Sequence, residues 1–216
     1  MKVKAIIQNH YKERLPNVKI MVEDLLKNGL TLEDIVILTD NPELKYPYQS
    51  VRSSFKLPIN VWHGIGVMLD ADYIALLCDD LTLRPNSIHE LKYRAESTQS
   101  IQVFGFEGGQ FDASDKPYSG GEPSHTVEKF ERADYLIRFY FASRQALSNA
   151  TKAYTSSLPK YLLQHDDLIL SLTNRCALVP TTPMCGWNEL PTYGVGFCHR
   201  PTHYDERNAL INLYQA

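Results

Sequence analysis

The 216-residue chain has no C-x-x-C pair; its four cysteines stand apart at positions 78, 176, 185 and 198. That spacing excludes dithiol redox motifs and the tight arms of common zinc modules. A looser zinc set of Cys185, Cys198, His199 and His203 lacks such an arm, and the cysteines read as free thiols in a reducing compartment. No apolar run approaches the ~20 residues that a membrane helix needs. The opening MKVKAIIQNH holds only a short apolar run, which predicts a strand and not a targeting segment, with a cytoplasmic location as the default. Basic excess is also missing: the formal charge is −3 and the pI about 6.2. No global field therefore advertises nucleic acid or an anionic membrane as a partner. There is no G-x-x-x-x-G-K-[ST] phosphate loop and no G-x-S-x-G elbow. Gly64-Ile65-Gly66 lacks the third glycine and the preceding strand of a dinucleotide fingerprint.

What the chain does contain is an alternation of strand-like and helix-like segments. Val3 to Ile7 predicts a strand. Pro16 opens a helix whose apolar positions Val18, Met21, Val22, Leu25 and Leu26 recur at helical spacing, and Asn28-Gly29 stops it. Ile35 to Leu38 predicts a second strand, Leu57 to Leu69 a helix, and Tyr73 to Cys78 a third strand. Ser87-Ile88-His89-Glu90 has the form of a capping box at a further helix start. Ile101 to Phe106 and Ala133 to Phe141 predict strands, with Arg144 to Lys152 helical between the second of these and the next motif. His165-Asp166-Asp167 precedes a helical run to Arg175, Ala177 to Val179 is a short strand, and an irregular tail from Pro180 closes with a helix over Tyr204 to Leu213. Such alternation argues an α/β layer structure with a largely parallel central sheet in one domain. Between strands, residues 107–126 form a Gly-, Ser-, Asp- and Pro-rich loop, in which Phe111, Tyr118 and the glycine pairs suit a flap that orders on binding.

Ligands in open α/β sheets sit beyond the carboxyl ends of the strands. That rule places Gln8-Asn9, Asp40-Asn41, Asp79-Asp80 and Glu107 along one rim. Two adjacent carboxylates directly after the apolar run YIALLC suit a hard divalent cation, Mg²⁺ or Mn²⁺, which prefers oxygen ligands and bridges to substrate phosphates. Aspartates are also favoured in turns and at helix starts, so Asp40, Asp79-Asp80 and Asp166-Asp167 each have a plain structural reading as well.

The segment ADYIALLCDDLTLRPNSIHEL resembles the D-x-D region of GT-A glycosyltransferases, in its family-2 form. Further segments follow the same order along the chain: Val3 to Asn9, Ile35 to Asn41, His165-Asp166-Asp167-Leu168, and His199-Arg200-Pro201-Thr202-His203-Tyr204-Asp205-Glu206-Arg207. The resemblance implies a GT-A (Rossmann-like) α/β fold, with a mixed, mostly parallel central sheet flanked by helices. It implies a nucleotide-sugar half over 1–106 and an acceptor and catalytic half over 107–216. By position, Asp80 would hold Mn²⁺ or Mg²⁺, helped by His203 or His199. Gln8, Asn9, Asp40, Asp79 and Arg207 would meet the nucleotide or its diphosphate, and Asp167 or Asp166 would act as general base. Cys78 departs from the pattern, standing where the family has the first aspartate of the triplet. The implied activity is metal-dependent transfer of a sugar from a nucleotide-sugar donor, a UDP-sugar by expectation, to an acceptor hydroxyl. A glycan and a modified base in DNA are both open as acceptors. Nucleotidyl transfer and a non-catalytic nucleotide-sugar-binding module of the same fold are the alternatives.

Overall fold

A computed structural model describes residues 1–53, 61–111, 118, 126–155, 159, 161–193 and 202–215. Its centre is an eight-stranded sheet of order β3-β2-β1-β4-β10-β6-β11-β8. β1 (Val3–Gln8) lies between β2 (Ile35–Thr39) and β4 (Tyr73–Cys78), parallel to both, and β3 (Ser50–Arg52) extends the parallel run at one edge. β10 (Phe139–Ser143) is inserted antiparallel between β4 and β6 (Val103–Gly105). β11 (Cys176–Leu178) pairs parallel with β6, and β8 (Glu131–Ala133) closes the far edge antiparallel. Two small antiparallel pairs stand apart: β5 (Leu81–Leu83) with β12 (Trp187–Glu189), and β7 (Gly108–Gly109) with β9 (Tyr135–Leu136).

Side chains alternate across a strand, so the unbroken apolar runs of β1, β2 and β4 imply that both sheet faces are covered. They are. Ala5, Ile7, Ile37, Ala75, Leu77 and Phe141 point to one face, which packs on α1 (Leu15–Lys27) and α3 (Ser87–Ser97). Ile6, Leu38, Ile74, Leu76 and Tyr140 point to the other, which packs on α2 (Val61–Met68), α4 (Arg144–Thr155), α5 (Asp166–Leu172) and α6 (His203–Gln215). The result is the expected α/β sandwich, with its parallel strands ending on one rim. Among the described residues no helix is long and apolar enough to cross a membrane.

Several local expectations are corrected. Ser87 does not cap α3: it is wholly buried inside the first turn, donating from Oγ to the Gly186 carbonyl at 2.7 Å and accepting the Gly186 N–H at 2.9 Å. The cap comes from another helix, because Asn28 Oδ1, at the end of α1, accepts the Ile88 N–H at 3.1 Å. A reciprocal capping box forms instead between Thr31 and Asp34. The single strand predicted over Ala133 to Phe141 is broken into β8, β9 and β10, because Phe139 N–H closes a tight turn onto the Ile137 carbonyl at 2.7 Å. Arg138, at the centre of that turn, has φ 66°. α5 stops at Leu172 instead of running to Arg175, and the tail expected to be irregular contributes β12. Residues 57–60 of the predicted second helix lie outside the described residues.

The start of the glycine-rich loop is ordered for a steric reason. β9 passes so close to β7 that a Cβ on Gly108 would be driven into the Tyr135 carbonyl oxygen, which is backbone and cannot turn away. Gly108→Ala should therefore destabilise the protein by about 2 kcal/mol, the scale of overpacking. Thermal unfolding of the variant beside Gly64→Ala, whose added Cβ would meet nothing within 4 Å, checks this, with a fall in Tm expected only for Gly108→Ala.

Candidate functional site

Parallel pairing aligns the carboxyl ends of the first strands. Gln8 registers with Leu38 on one side and with Cys78 on the other. Gln8-Asn9, Asp40-Asn41 and Asp79-Asp80 thus leave the sheet together, as the rim rule requires.

Asp79 is 4% exposed. Its Oδ2 accepts from Asn9 Nδ2 at 2.6 Å and its Oδ1 from Arg14 Nη1 at 2.6 Å. Asn17 Nδ2 holds its backbone carbonyl at 2.8 Å, and Tyr46 Oη donates to Asn9 Oδ1. Burial pushes the Asp79 carboxyl above its ordinary range, and Asn9 and Arg14 pull it back. Both Asp79 oxygens are thereby committed within the protein. Asp80 is placed differently: Oδ2 lies 3.5 Å from the same Arg14 nitrogen, while Oδ1 is buried with no partner among the described residues. Asp40 Oδ1 and His10 Nδ1 are hydrogen-bonded at 2.5 Å. Gln8 is buried beside Asn9.

The second acidic pair opens α5, on the opposite face of the sheet from α1. Arg207 of α6 donates from Nη2 to Asp167 Oδ2 at 2.6 Å. Burial pushes the Asp167 carboxyl up, but Arg207 overrides it, and the pKa is held below the usual carboxylate range. Asp166 moves the opposite way, because burial and then the neighbouring Asp167 charge push its carboxyl well above that range. The Arg207 guanidinium also stacks over the Tyr118 ring at 4.2 Å. His165 Nε2–H donates to Glu206 Oε2 at 3.0 Å, and the ring packs edge-on against His203. Burial and Arg207 lower His203 to about 4, so its imidazole is neutral at physiological pH. His203 thus belongs to the α5–α6 cluster around Asp167.

Cys78 links the two pairs. Burial raises its thiol pKa far above normal, and Asp80, Asp166, Asp79 and Asp167 add to the rise in that order. The side chain is a neutral thiol flanked by both carboxylate pairs.

A third group of charges closes the rim. β5 follows Asp80 directly and pairs with β12, and Leu190 N–H donates to the Asp80 carbonyl at 2.8 Å. Trp187 and Glu189 are carried there by this pairing. Arg138 precedes β10, whose register puts it opposite Cys78, and Cys78 N–H points at the Arg138 carbonyl over 3.4 Å. The Arg138 guanidinium stacks on Trp187 at 4.5 Å and donates to Glu189 Oε1 at 2.9 Å, with Glu107 Oε2 at 3.9 Å.

The structure therefore gathers Asn9, Asp79 and Asp80 at one point, and Asp166, Asp167, Arg207 and His203 at another. His199 lies outside the described residues, as does Cys198. Cys185 packs on the α3 face and His203 on the other, which separates those two members of the looser zinc set. Among the described residues no three His, Cys, Asp or Glu side chains are arranged to hold a metal ion by themselves. Sequence reading missed Arg14 and Arg138. The first carried a faint signal as the arginine just before the helix-opening Leu15-Pro16; the second carried none, being one charge in an apparent strand.

No protein-family model matches the chain, and no curated protein matches it by sequence. Solved structures do. Residues covering 99% of the chain superpose on 66% of S. aureus TarS 1–349 in complex with UDP-GlcNAc, with TM-score 0.66 and 12% identity. GalNAc-T7 with UDP, GalNAc and Mn²⁺ matches over 99% of this chain and 50% of its own, with TM-score 0.69 and 11% identity. CMP:2-keto-3-deoxy-manno-octonic acid synthetase complexed with CTP matches over 99% of both chains, with TM-score 0.55 and 12% identity. The fold is that of the GT-A glycosyltransferases, and the chain spans less than two thirds of the TarS and GalNAc-T7 chains.

The opposed carboxyls of α5 have a measurable consequence. A carboxyl whose folded-state pKa is raised makes the fold less stable as pH rises above the unfolded value of about 4. Asp166→Asn removes that charge with little change of shape. Its Tm should exceed the parent's at pH 8, with the difference shrinking toward pH 4; equal Tm values at both pH values would contradict the assignment.

Proposed function

We propose that this chain transfers a sugar from a nucleotide-sugar donor, a UDP-sugar, to an acceptor hydroxyl, with a divalent cation at Asp80 and Asp166 as general base. The observation that carries this reading is the matched division of the two aspartate pairs. In each, one carboxylate is tied to a buried arginine, Asp79 to Arg14 and Asp167 to Arg207. The other is left with the properties that the chemistry needs.

At Asp80 the property is an unpartnered buried oxygen, Oδ1. Small divalent cations are commonly held by one or two carboxylates together with substrate phosphates, so a single open carboxylate fits a cation that arrives with the donor diphosphate. Such a cation, when bound, supplies Lewis-acid stabilisation of the charge on the departing diphosphate. The Cys78 thiol, kept protonated by its surroundings, adds no hard ligand. Arg14 fixes the direction of Asp80 from its Oδ2 side, and Asn9 and Asn17 fix the backbone on which both aspartates ride.

At Asp166 the property is basicity. A general base works best when its pKa approaches the operating pH, and the rise imposed by burial and Asp167 moves Asp166 in that direction. Asp166 takes the hydroxyl proton as the acceptor oxygen bonds to the anomeric carbon, and the bond to the diphosphate oxygen breaks. A base of the Asp166-Asp167 pair that takes the proton directly from the acceptor belongs with transfer by inversion. Asp167, held as a carboxylate by Arg207, keeps the local charge that raises its neighbour. The acceptor, a glycan or a modified DNA base, is bound by parts of the rim beyond these residues.

A second reading, nucleotidyl transfer, is favoured by the match to the CTP-complexed synthetase over 99% of both chains. Against it, the loop after β1, QNHYKERLPN, has no glycine to cradle phosphates, and its Arg14 is turned inward onto Asp79. The released product separates the two: nucleoside diphosphate for the first reading, pyrophosphate for the second.

Incubation with UDP-glucose, UDP-galactose, UDP-GlcNAc or GDP-mannose plus Mn²⁺ should raise the Tm for one donor, since ligands of the native state stabilise it. Mn²⁺ alone should shift it far less than Mn²⁺ with donor, and no shift with any donor would sink the reading. Asp80→Ala should lower donor hydrolysis roughly 10²–10³-fold, the scale of losing one charge-stabilising group. Equal hydrolysis by parent and variant would remove Asp80 from the mechanism.

A further inference from the structure

Arg138 is the guanidinium at the rim that the scheme above leaves without a role. It sits in a three-residue turn with φ 66°, a conformation that L side chains rarely adopt and that is uncommon for arginine. Nothing in the packing of β9 or β10 calls for arginine there, and glycine or asparagine would hold the same turn with less strain. Strain of this kind persists where the surroundings over-determine a side chain, and it clusters at ligand clamps.

What the turn achieves is placement. β10 runs antiparallel to β4, so the residue before Phe139 arrives opposite Cys78, one residue from the Asp79-Asp80 pair. Trp187 supports the guanidinium from below at 4.5 Å. Its ion-pair partner Glu189 is mostly solvent-exposed, with 69% of its side chain accessible, and the pair is therefore weak and exchangeable. Asp80 acts on Arg138 electrostatically, together with Glu107 and Glu189. Arg14 is the opposite case: buried, and engaged by the Asp79 carboxylate and the Thr192 carbonyl.

We infer that Arg138 is a second binding residue for the diphosphate of a nucleotide, leaving Glu189 to clamp the terminal phosphate beside Asp80. This rests on the nucleotide-sugar reading of the rim. A planar guanidinium suits this task because it can offer two parallel N–H donors to a phosphate while its face stays stacked on Trp187. Glu189 then acts as an internal stand-in for the anion, keeping Arg138 extended over Trp187 when no donor is bound.

Isothermal titration of UDP, UMP and inorganic pyrophosphate in EDTA, where no divalent cation contributes, tests the assignment. Arg138→Gln should weaken UDP and pyrophosphate about tenfold, the scale of one charge-assisted contact, while UMP changes little. Glu189→Gln should tighten UDP, and the same substitution should have no effect once Arg138 is Gln. If the parent binds UDP and Arg138→Gln binds it equally well, the Arg138 assignment falls and the nucleotide-sugar reading stands. If the parent binds pyrophosphate in an Arg138-dependent way but no nucleoside diphosphate, the nucleotide-sugar reading falls and the anion clamp stands. Binding of none of the three overturns the Arg138 assignment, while the nucleotide-sugar reading, which includes a divalent cation, is decided by the donor Tm test with Mn²⁺. Thermal unfolding of Arg138→Gln confirms that the variant is folded. Arg138→Lys should recover part of the pyrophosphate affinity through its charge, a rescue that a purely structural arginine would not show.

Discussion

Four aspartates must be carried to the edge of a dry sheet without unfolding it. A buried carboxylate is costly unless paired and hydrogen-bonded. The protein meets that constraint twice in the same way, with one buried arginine for one member of each pair. Arg14, 4% exposed, holds Asp79, and Arg207, 3% exposed, holds Asp167. Both arginines come from helices or turns that lie far from their partners in sequence. The rest of the site depends on these two contacts. With Asp79 satisfied, Asp80 stands beside it with an open oxygen; with Asp167 ionised, Asp166 is pushed up. Arg14 also reaches Asp80 directly, 3.5 Å from its Oδ2, whereas Arg207 affects Asp166 by holding the Asp167 charge beside it.

The reversed strand β10 connects the two pairs. α3 makes the helical crossover from β4 to β6, which run in the same direction but are not neighbours in the sheet. The antiparallel β10 fills the position between them. Its start delivers Arg138 to the rim, its middle lines both cores with Tyr140 and Phe141, and its end feeds α4 directly. α4 in turn packs on α2 and α5, so the helix that starts with Asp166-Asp167 is positioned by the same reversal. Cys78, at the end of β4, is the point from which both acidic pairs are felt. A third aspartate at that position would face four carboxylates with two arginines already committed. A neutral thiol avoids that repulsion.

Local signals were legible wherever a segment's own residues decide its state. The continuous apolar runs of β1, β2 and β4 required burial on both faces, and Asn28-Gly29 stopped α1 with Gly29 at φ 87°. Elsewhere tertiary contacts won. Ser87-x-x-Glu90 has the letters of a capping box, yet Ser87 is recruited to hold Gly186, and α3 is capped by Asn28 from 60 residues away. The run ADYLIRFYF alternates and aromatises like one strand, but the turn at Arg138 splits it, because Leu136 and Phe139 serve different sheets. β12 is too short and too polar to announce itself, and exists because β5 offers it an edge.

The layer architecture, the rim where the parallel strands end and the acidic residues on that rim are written in the local sequence. Those follow from periodicity and from the ends of apolar runs, which are properties of neighbours along the chain. Which aspartate of each pair takes the arginine follows from the tertiary structure alone. Asp79 and Asp80 are chemically the same residue, as are Asp166 and Asp167. What separates them is a guanidinium 65 residues away in one case and 40 in the other. The role of Arg138 belongs to the same class, since its position opposite Cys78 is a matter of strand register and not of spacing. Charge acts through space, and its effect on a carboxylate is set by distance and burial, neither of which adjacency in sequence records.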